Sequence, residues 1–245
     1  MSDIATDTPA AATSRATYDS AQEIAAKKQM LCDALTMLER AEIIDFNGHF
    51  SARVGPDRLL INSGASVRSA MTVQDIVMID LDGKLIEGTA VPPMEFHIHA
   101  SIYRRRPDVN AVVHTHPVWS TLFSMVGKAV EPVIMQAATL GQIRQFPKTA
   151  SINTRELGDE LAECLGEHRI AMLRSHGSVI ASEGILETFV LGFYLEENAH
   201  RQYLASQIGA PTVLNAEQVA TINKNLWKPH LLKKVWDYHV GKLRG

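Results

Sequence analysis

Two histidines, His114 and His116, flank Thr115 at the end of a buried strand predicted over residues 111–115. Because successive side chains of a strand point to opposite faces, both imidazoles fall on one face, close enough to bind one ion. Pro117 follows at once and ends the strand, so the pair lies at the rim of a sheet. Pairs of this kind also occur as ordinary core or surface residues, and alone they only raise the hypothesis of a metal site.

Further ligand types accompany the pair. Glu95 stands near the start of a predicted upstream helix, and His176 lies in a Ser-His-Gly turn between two predicted strands. Three histidines and a carboxylate suit Zn²⁺ or Mn²⁺ with one exchangeable position, and Fe²⁺ or Co²⁺ fit the same geometry. The spacing alone does not bring His176 to the other residues.

The helix that follows Glu95 carries two more histidines. His99, four residues after Glu95, shares its helix face and is a candidate for a catalytic proton donor or a substrate contact. His97 lies about 200° around the axis, so we interpret it as a surface or packed residue. The remaining histidines carry no argument for a metal site: His49, His168, His200, His230 and His239.

The elements that must position these residues alternate between helices and short strands. Helical spacing of apolar residues predicts a first helix to about residue 39, and Asp82-Gly83 between two apolar runs predicts a hairpin. Asn153 followed by Glu156 predicts the start of another helix, and a long helix is expected over about 185–208. Without an internal repeat or a flexible linker, this order favours a single three-layer α/β or α+β domain.

The composition is that of an ordinary globular protein of 245 residues, 46% hydrophobic, with a net charge of −3. A charge this close to neutral argues against a dedicated nucleic-acid-binding protein. No apolar run approaches the roughly 20 residues that a membrane helix needs, and no signal peptide is recognised. Two cysteines make no disulfide framework. We therefore expect a cytoplasmic protein with neither nucleic acid nor membrane as partner.

The chain divides into three parts by composition. Residues 1–20 lack apolar periodicity and are expected to form a flexible arm, and residues 21–210 hold every candidate site residue. The tail, residues 211–245, carries Trp227, Trp236 and Tyr238 among basic residues. We expect this tail to pack on the domain or on a neighbouring subunit.

Five stretches together resemble the class II aldolase/adducin family. They are residues 47–53 (NGHFSAR), 61–64 (INSG), 95–99 (EFHIH), 106–116 (RPDVNAVVHTH) and 175–181 (SHGSVIA). The stretches keep the family order and extend over most of the chain. The run Arg-Pro-Asp-x-x-Ala-Val-Val-His-x-His, with a distant His-Gly, is a specific signature.

The resemblance implies an α/β/α sandwich with a central, mainly antiparallel sheet. It assigns His114, His116 and His176 to the three metal ligands, with one divalent ion per subunit. It assigns Glu95 to the carboxylate that either ligates the metal as a fourth ligand or acts as general acid/base. It further implies a homo-oligomer, a tetramer or a multiple of one, with active sites near subunit interfaces.

The chemistry implied is that of a lyase in which a divalent metal polarises a substrate oxygen and stabilises an enolate or carbanion. The family's sugar-phosphate aldolases have a serine pair that holds phosphate where this chain has Pro93-Met94, and proline lacks an N–H donor. A small anionic acid is therefore preferred to a phosphate, and Arg68 suits its carboxylate. The candidates for substrate binding are Asn47, Ser63, Gly64 and Arg68.

We expect a non-oxidative decarboxylase of a hydroxylated aromatic acid, dihydroxyphthalate-like or a hydroxypyridine carboxylate, with a role in aromatic catabolism. Met94, Phe96 and Trp119 indicate a partly apolar pocket for the ring, and Glu95 or His99 would donate the final proton. An aldolase or epimerase acting on a sugar phosphate stays open. A non-catalytic adducin-like interaction domain is the alternative from another class of protein.

Overall fold

A computed structural model describes residues 17–244 and centres on one eight-stranded sheet. The strands are β1 (His49–Arg53), β2 (Arg58–Asn62), β3 (Ile76–Asp80), β4 (Leu85–Glu87), β5 (Ala111–Thr115), β6 (Ile143–Phe146), β7 (Ile170–Leu173) and β8 (Gly177–Ser182). Their order in the sheet is β4-β3-β2-β1-β5-β8-β7-β6. Neighbouring strands are antiparallel except β6 and β7, which are parallel.

Helices cover both faces of this sheet. They are α1 (Ala21–Arg40), α2 (Phe96–Arg105), α3 (Val118–Met125), α4 (Arg155–Leu165), α5 (Ile185–Ile208), α6 (Ala216–Leu226) and α7 (Pro229–Arg244). α1, α3, α5 and α7 contribute to the core on one face, whereas α2 and α4 build the core on the other. The prediction of an α/β/α sandwich with a mainly antiparallel sheet is confirmed.

The alternation of side chains along β1 and β5 decides which face carries the candidate site. Val113 and Phe50 pack in the core that contains α1 and α5, whereas Val112 packs in the core beneath α2. His114 therefore points toward the α2 side, because it lies two residues after Val112. β1 pairs with β5 so that His49 lies opposite His114. The two imidazoles thus share one face of adjacent strands.

Several boundaries differ from those predicted. The helix expected to include Glu95 near its start begins at Phe96, with Glu95 as its N-cap in a non-helical conformation. The cap of α4 is Thr154, whose hydroxyl accepts a hydrogen bond from the Leu157 N–H, and not Asn153. The short strand β6 was not predicted, because its burial is irregular and shows no clear alternation.

The two ends of the chain are partly described. Residues 1–16 of the expected arm lie outside the described residues, while the Asp19 N–H donates to the Val54 carbonyl. The tail contains α6 and α7, and Trp236 of α7 packs against Phe189 of α5, with ring centroids 5.0 Å apart. Within residues 17–244, no helix has the length and apolar character needed to cross a membrane.

Candidate metal centre

Three imidazoles converge at the end of β5. The Nε2 atoms of His114 and His116 lie 3.0 Å apart, and the ring of His176 lies 4.8 Å from that of His114 between centroids. The ligand atoms of the three side chains are all within 4.8 Å of one another. The structure therefore brings His176, from the turn between β7 and β8, to the pair on β5.

Each of the three rings is held from behind by an acceptor on its Nδ1 atom. The pairs are His114 with the Ser178 carbonyl at 3.0 Å, His116 with the Asp45 carboxylate at 3.0 Å, and His176 with the Ala150 carbonyl at 3.1 Å. An acceptor at Nδ1 requires a proton there, so each Nε2 presents its lone pair to the shared centre. Three preoriented nitrogen ligands result.

The protonation state of the histidine cluster is also the one that binds a metal cation. Burial holds the pKa of His114 well below its ordinary value, and its neighbours His49 and His116 lower it further. Burial likewise lowers the pKa of His176, against the opposing charge of Glu95. Neutral imidazoles are the form that ligates metal, and a nitrogen-rich set with a carboxylate nearby suits Zn²⁺ or Mn²⁺.

Glu95 faces the three histidines from the start of α2. One of its oxygens, Oε1, accepts hydrogen bonds from the Ser151 hydroxyl at 2.9 Å and the Ile152 N–H at 2.7 Å. The other, Oε2, lies 3.6 Å from Nε2 of His114. Burial raises the pKa of the Glu95 carboxyl, but hydrogen bonding from His49 and the neighbouring donors outweighs burial and lowers it. The group is therefore a carboxylate at neutral pH.

His49 is a site residue that sequence reasoning missed. Its Nε2 atom lies 3.7 Å from Oε2 of Glu95, and its ring centroid lies 5.0 Å from that of His114. Together with Glu95 and His114 it forms a second group within ligand distance. The available signal was its place in the stretch 47–53 that resembles the family, and the sequence did not reveal that this segment pairs with β5. Asp45 was missed for the same reason.

His99 lies behind His49 and not at the site surface. Its ring is fully buried, with Nε2 2.6 Å from Nδ1 of His49 and Nδ1 2.6 Å from the Ser51 hydroxyl. The expectation that it shares a helix face with Glu95 does not apply, because Glu95 is the cap outside the helix. His97 packs against Phe96, with ring centroids 4.0 Å apart, and is not part of the cluster, as expected.

A cavity of about 650 Å³ opens beside the cluster. Of the expected substrate-binding residues, Asn47, Gly64 and Arg68 line it, whereas Ser63 is buried and does not. Arg68 is only 4% exposed, and its guanidinium donates to the backbone carbonyls of residues 48 and 66. Its main contacts therefore join two loops of the cavity wall instead of leaving a free fork for a carboxylate.

Of the three residues expected to form an apolar surface for an aromatic ring, Met94 alone is among the described lining residues of the cavity. The other apolar lining residues are Ala65, Val91, Pro92 and Pro93. Met94 lines the cavity and is 74% exposed. Phe96 packs against His97, and Trp119 stacks on His200 at a centroid distance of 4.0 Å, in a separate depression beside α5 and α7. Phe96 and Trp119 are both half-buried, and residue type alone does not give the direction in which either ring points.

The turn that carries His176 is conformationally restricted. Ser175 has a φ of 54°, in the left-handed region, and its N–H donates to the Ser124 hydroxyl at 3.0 Å. A Cβ atom on Gly177 would lie 2.1 Å from the Thr115 carbonyl oxygen, so only glycine fits there. The residues on either side thus fix the imidazole against the end of β5.

Comparison with known families agrees with this geometry. The profile of the class II aldolase and adducin N-terminal domain matches residues 29–203, which include every residue of the cluster. The chain belongs to this family. The match runs from the middle of α1 to the greater part of α5, and the resemblance inferred from the five sequence stretches is confirmed.

Individual members of the aldolase/adducin family differ in reaction. The chain is 27% identical over 172 residues to an L-fuculose phosphate aldolase of Methanococcus maripaludis, covering 70% of this chain and 93% of that protein. It is 29% identical over 158 residues to a 3,4-dihydroxyphthalate decarboxylase of Arthrobacter keyseri, covering 59% and 63%. Both relatives are carbon–carbon lyases by name.

Solved structures support the same fold. An aldolase II superfamily protein from Pseudomonas syringae superposes with a TM-score of 0.80 at 22% identity, covering 92% of this chain and 94% of that one. At this identity the likeness concerns the aldolase/adducin fold alone.

Asp45 offers a test of the centre that leaves its ligands in place. Replacing Asp45 by Asn removes the charge that holds Nδ1 of His116, so we expect the dissociation constant for Zn²⁺ to rise about 10- to 100-fold. Competition with a chromogenic chelator measures this constant. Asp57→Asn is the matched control, because Asp57 pairs with Tyr18 far from the centre. Equal zinc affinity in Asp45→Asn and wild-type protein would contradict the assignment.

Proposed function

We propose that this protein is a divalent-metal-dependent carbon–carbon lyase, and specifically a non-oxidative decarboxylase of a hydroxylated aromatic carboxylic acid. The observation that carries the proposal is the convergence of three lone pairs, from His114, His116 and His176, beside the Glu95 carboxylate at an open cavity. One Zn²⁺ or Mn²⁺ bound by these histidines would supply the electrophile for charge developing on a substrate oxygen.

Glu95 is the proposed acid/base of the reaction. Its carboxylate is ionised and lines the cavity, so it can take the proton of a substrate hydroxyl. When the carbon–carboxylate bond breaks, CO₂ leaves and the bonding electron pair stays on the ring carbon. Glu95 returns its proton to that carbon, and a proton from solvent restores the hydroxyl. The hydrogen bonds from Ser151 and Ile152 hold the carboxylate in place for both transfers.

The cavity favours a small carboxylic acid over a phosphate at three points. Pro93 has no N–H to donate, and the Gly64 N–H is already donated to the Val91 carbonyl at 3.0 Å. The Arg68 guanidinium already donates hydrogen bonds to backbone carbonyls of the loops around it. A phosphate needs several such donors at once, whereas a hydroxy acid that approaches the histidine cluster through two oxygens needs fewer.

An aldolase or epimerase acting on a sugar phosphate is the second candidate. It is favoured by the relatives, because the match to the L-fuculose phosphate aldolase covers 93% of that protein and the match to the decarboxylase covers 63% of that one. Asn47 also lines the cavity, and its side-chain amide makes no hydrogen bond within residues 17–244. This amide is therefore a donor that a phosphate oxygen could use. A non-catalytic adducin-like domain is the third candidate.

Exposed apolar side chains near the cavity also support the proposal of a homo-oligomer with sites near its subunit interfaces. Val91 and Met94 line the cavity, and Phe46 and Val67 adjoin lining residues in sequence. All four side chains are more than 60% exposed. Surfaces of this kind commonly mark contacts between proteins.

Substrate assays distinguish the candidates. We expect the zinc- or manganese-loaded protein to release CO₂ from 3,4-dihydroxyphthalate and to lose this activity with a chelator. L-Fuculose 1-phosphate and 5-deoxyribulose 1-phosphate, assayed for carbonyl product, test the second candidate. Turnover of the phosphates alone would overturn the decarboxylase proposal. Turnover of neither class, with no divalent metal in the purified protein, would favour the non-catalytic domain.

A further inference from the structure

A buried hydrogen-bond chain leads from the metal centre into the layer between the sheet and α2. Nδ1 of His49 lies 2.6 Å from Nε2 of His99, whose Nδ1 lies 2.6 Å from the Ser51 hydroxyl. The Ser51 oxygen lies 2.8 Å from the Tyr103 hydroxyl. His49 and Ser51 share one face of β1, and His99 and Tyr103 stand one turn apart on α2. No member of this chain is more than 4% exposed.

The inner end of the chain fixes the direction of its hydrogen bonds. The Tyr103 hydroxyl has Ser51 as its one side-chain partner within residues 17–244, so its proton is donated to the Ser51 oxygen. Ser51 then donates its own proton either to Nδ1 of His99 at 2.6 Å or to the Val112 carbonyl at 3.4 Å. The shorter contact is the stronger bond. His99 thus accepts at Nδ1 and carries its proton on Nε2.

The outer end requires the same direction. With the His99 proton donated to Nδ1 of His49, the proton of His49 must lie on Nε2. This atom faces Oε2 of Glu95 at 3.7 Å, where an N–H is attracted to the carboxylate. Both ends therefore select one tautomer of His49.

The hydrogen-bond chain from Tyr103 to His49 orients His49 and does not conduct protons. Burial raises the pKa of the Tyr103 hydroxyl well above its ordinary value, so Tyr103 cannot supply a proton from the inner end. Burial also lowers the pKa of His99 well below its ordinary value, which keeps that imidazole neutral. The chain is closed at Tyr103 and opens only toward the cavity, which His49 lines.

We propose that Tyr103, Ser51 and His99 hold His49 in the Nε2–H tautomer, and that His49 uses this N–H to bind an oxygen of the anionic substrate beside Glu95. His49 is then a substrate-binding residue instead of a metal ligand, and the other three are positioning residues. The identity of the anion rests on the proposed function, whereas the tautomer does not.

The tautomer is measured directly in protein labelled with ¹⁵N-histidine. Long-range ¹H–¹⁵N correlation spectra of the metal-free and zinc-loaded forms, assigned with His49→Gln, should show His49 protonated at Nε2 and bare at Nδ1. In Ser51→Ala, His99 loses its donor at Nδ1, and the backbone of Val112 remains as its hydrogen-bond partner on that side, so the His49 tautomer should reverse. Ser101→Ala is the matched control, because this buried hydroxyl on α2 has no partner among the described residues.

Binding of two probes, 3,4-dihydroxybenzoate and 2-phosphoglycolate, tests the role of the N–H by calorimetry on zinc-loaded protein. His49→Leu should weaken the better probe about 10- to 100-fold, the usual range for a hydrogen bond to a charged group. His49→Gln keeps an N–H donor and should recover most of the affinity. Ser51→Ala should weaken binding about 5-fold or more, and Ser101→Ala less than about 2-fold.

Some outcomes would overturn the inference. A bare Nε2 on His49 in the wild-type spectra excludes the tautomer, and unchanged affinity in His49→Leu excludes the binding role, as does absence of binding by both probes. If substrate assays replace the decarboxylase by an aldolase, 2-phosphoglycolate carries the binding test and the spectra are unaffected. Failure of the proposed function and failure of this inference are therefore separate results. If Ser51→Ala does not fold, the His49 variants still provide the test, because His49 lies at the cavity wall.

Discussion

Alanine in place of His114 is expected to remove bound divalent metal and activity together. His114 supplies one of three converging nitrogens, and its Nδ1 atom is fixed by the Ser178 carbonyl. Because loss of a supporting contact alone typically costs 10- to 100-fold in metal affinity, we expect loss of the ligand itself to cost at least about 100-fold. Elemental analysis after dialysis, combined with the lyase assay, measures both effects.

The control and a second variant separate ligation from folding. His97→Ala changes a histidine of α2 that packs on Phe96 outside the cavity, and it should keep wild-type metal content. His114 is fully buried, so its removal also leaves a space in the protein. His176→Ala repeats the test at a partly exposed turn with less effect on the core. Full metal content in both ligand variants would show that the histidine cluster is not the metal centre.

Glutamine in place of Glu95 is expected to keep the metal and lose most turnover. The amide has the same shape and still accepts hydrogen bonds from Ser151 and Ile152, but it takes up no proton at neutral pH. A general acid/base typically contributes 10²- to 10⁴-fold, so we expect kcat to fall by about that factor. Metal affinity should change by less than about 10-fold, because the three histidines remain.

Steady-state kinetics of the metal-loaded variant separate this role from substrate binding. A loss confined to kcat supports proton transfer, whereas a rise in KM with unchanged kcat would assign Glu95 to binding alone. Glu87→Gln is the matched control, since Glu87 lies on β4 and pairs with Lys28 away from the cavity. Wild-type kcat in Glu95→Gln would remove Glu95 from the mechanism.

The β5 part of the site was predictable from local rules. Strand alternation alone put His114 and His116 on one face, and Pro117 placed them at a strand end. Glu95 and His176 joined them only through resemblance, because their approach depends on how α2 and the turn after β7 pack on the sheet. Contacts of this kind join segments that are distant in sequence, and local rules applied to a single sequence do not predict them.

The remainder of the site depended on strand pairing and side-chain direction. His49 became a site residue because β1 lies beside β5 with His49 opposite His114. Arg68 was expected to bind substrate, but its position between two loops leads its guanidinium to backbone carbonyls. Neither the register of a strand nor the neighbours of a buried arginine follow from residue type.

The turn at residues 175–177 has a consequence for any attempt to engineer this protein for heat resistance. Glycine at Ser175 would relieve roughly 1–2 kcal/mol of left-handed strain and is the kind of change that stability design selects. It would also loosen the backbone that carries His176, while Gly177 accepts no side chain at all. In a thermostabilised variant, the substitutions should be placed at exposed positions of α6 and α7, and residues 175–177 should be left unchanged.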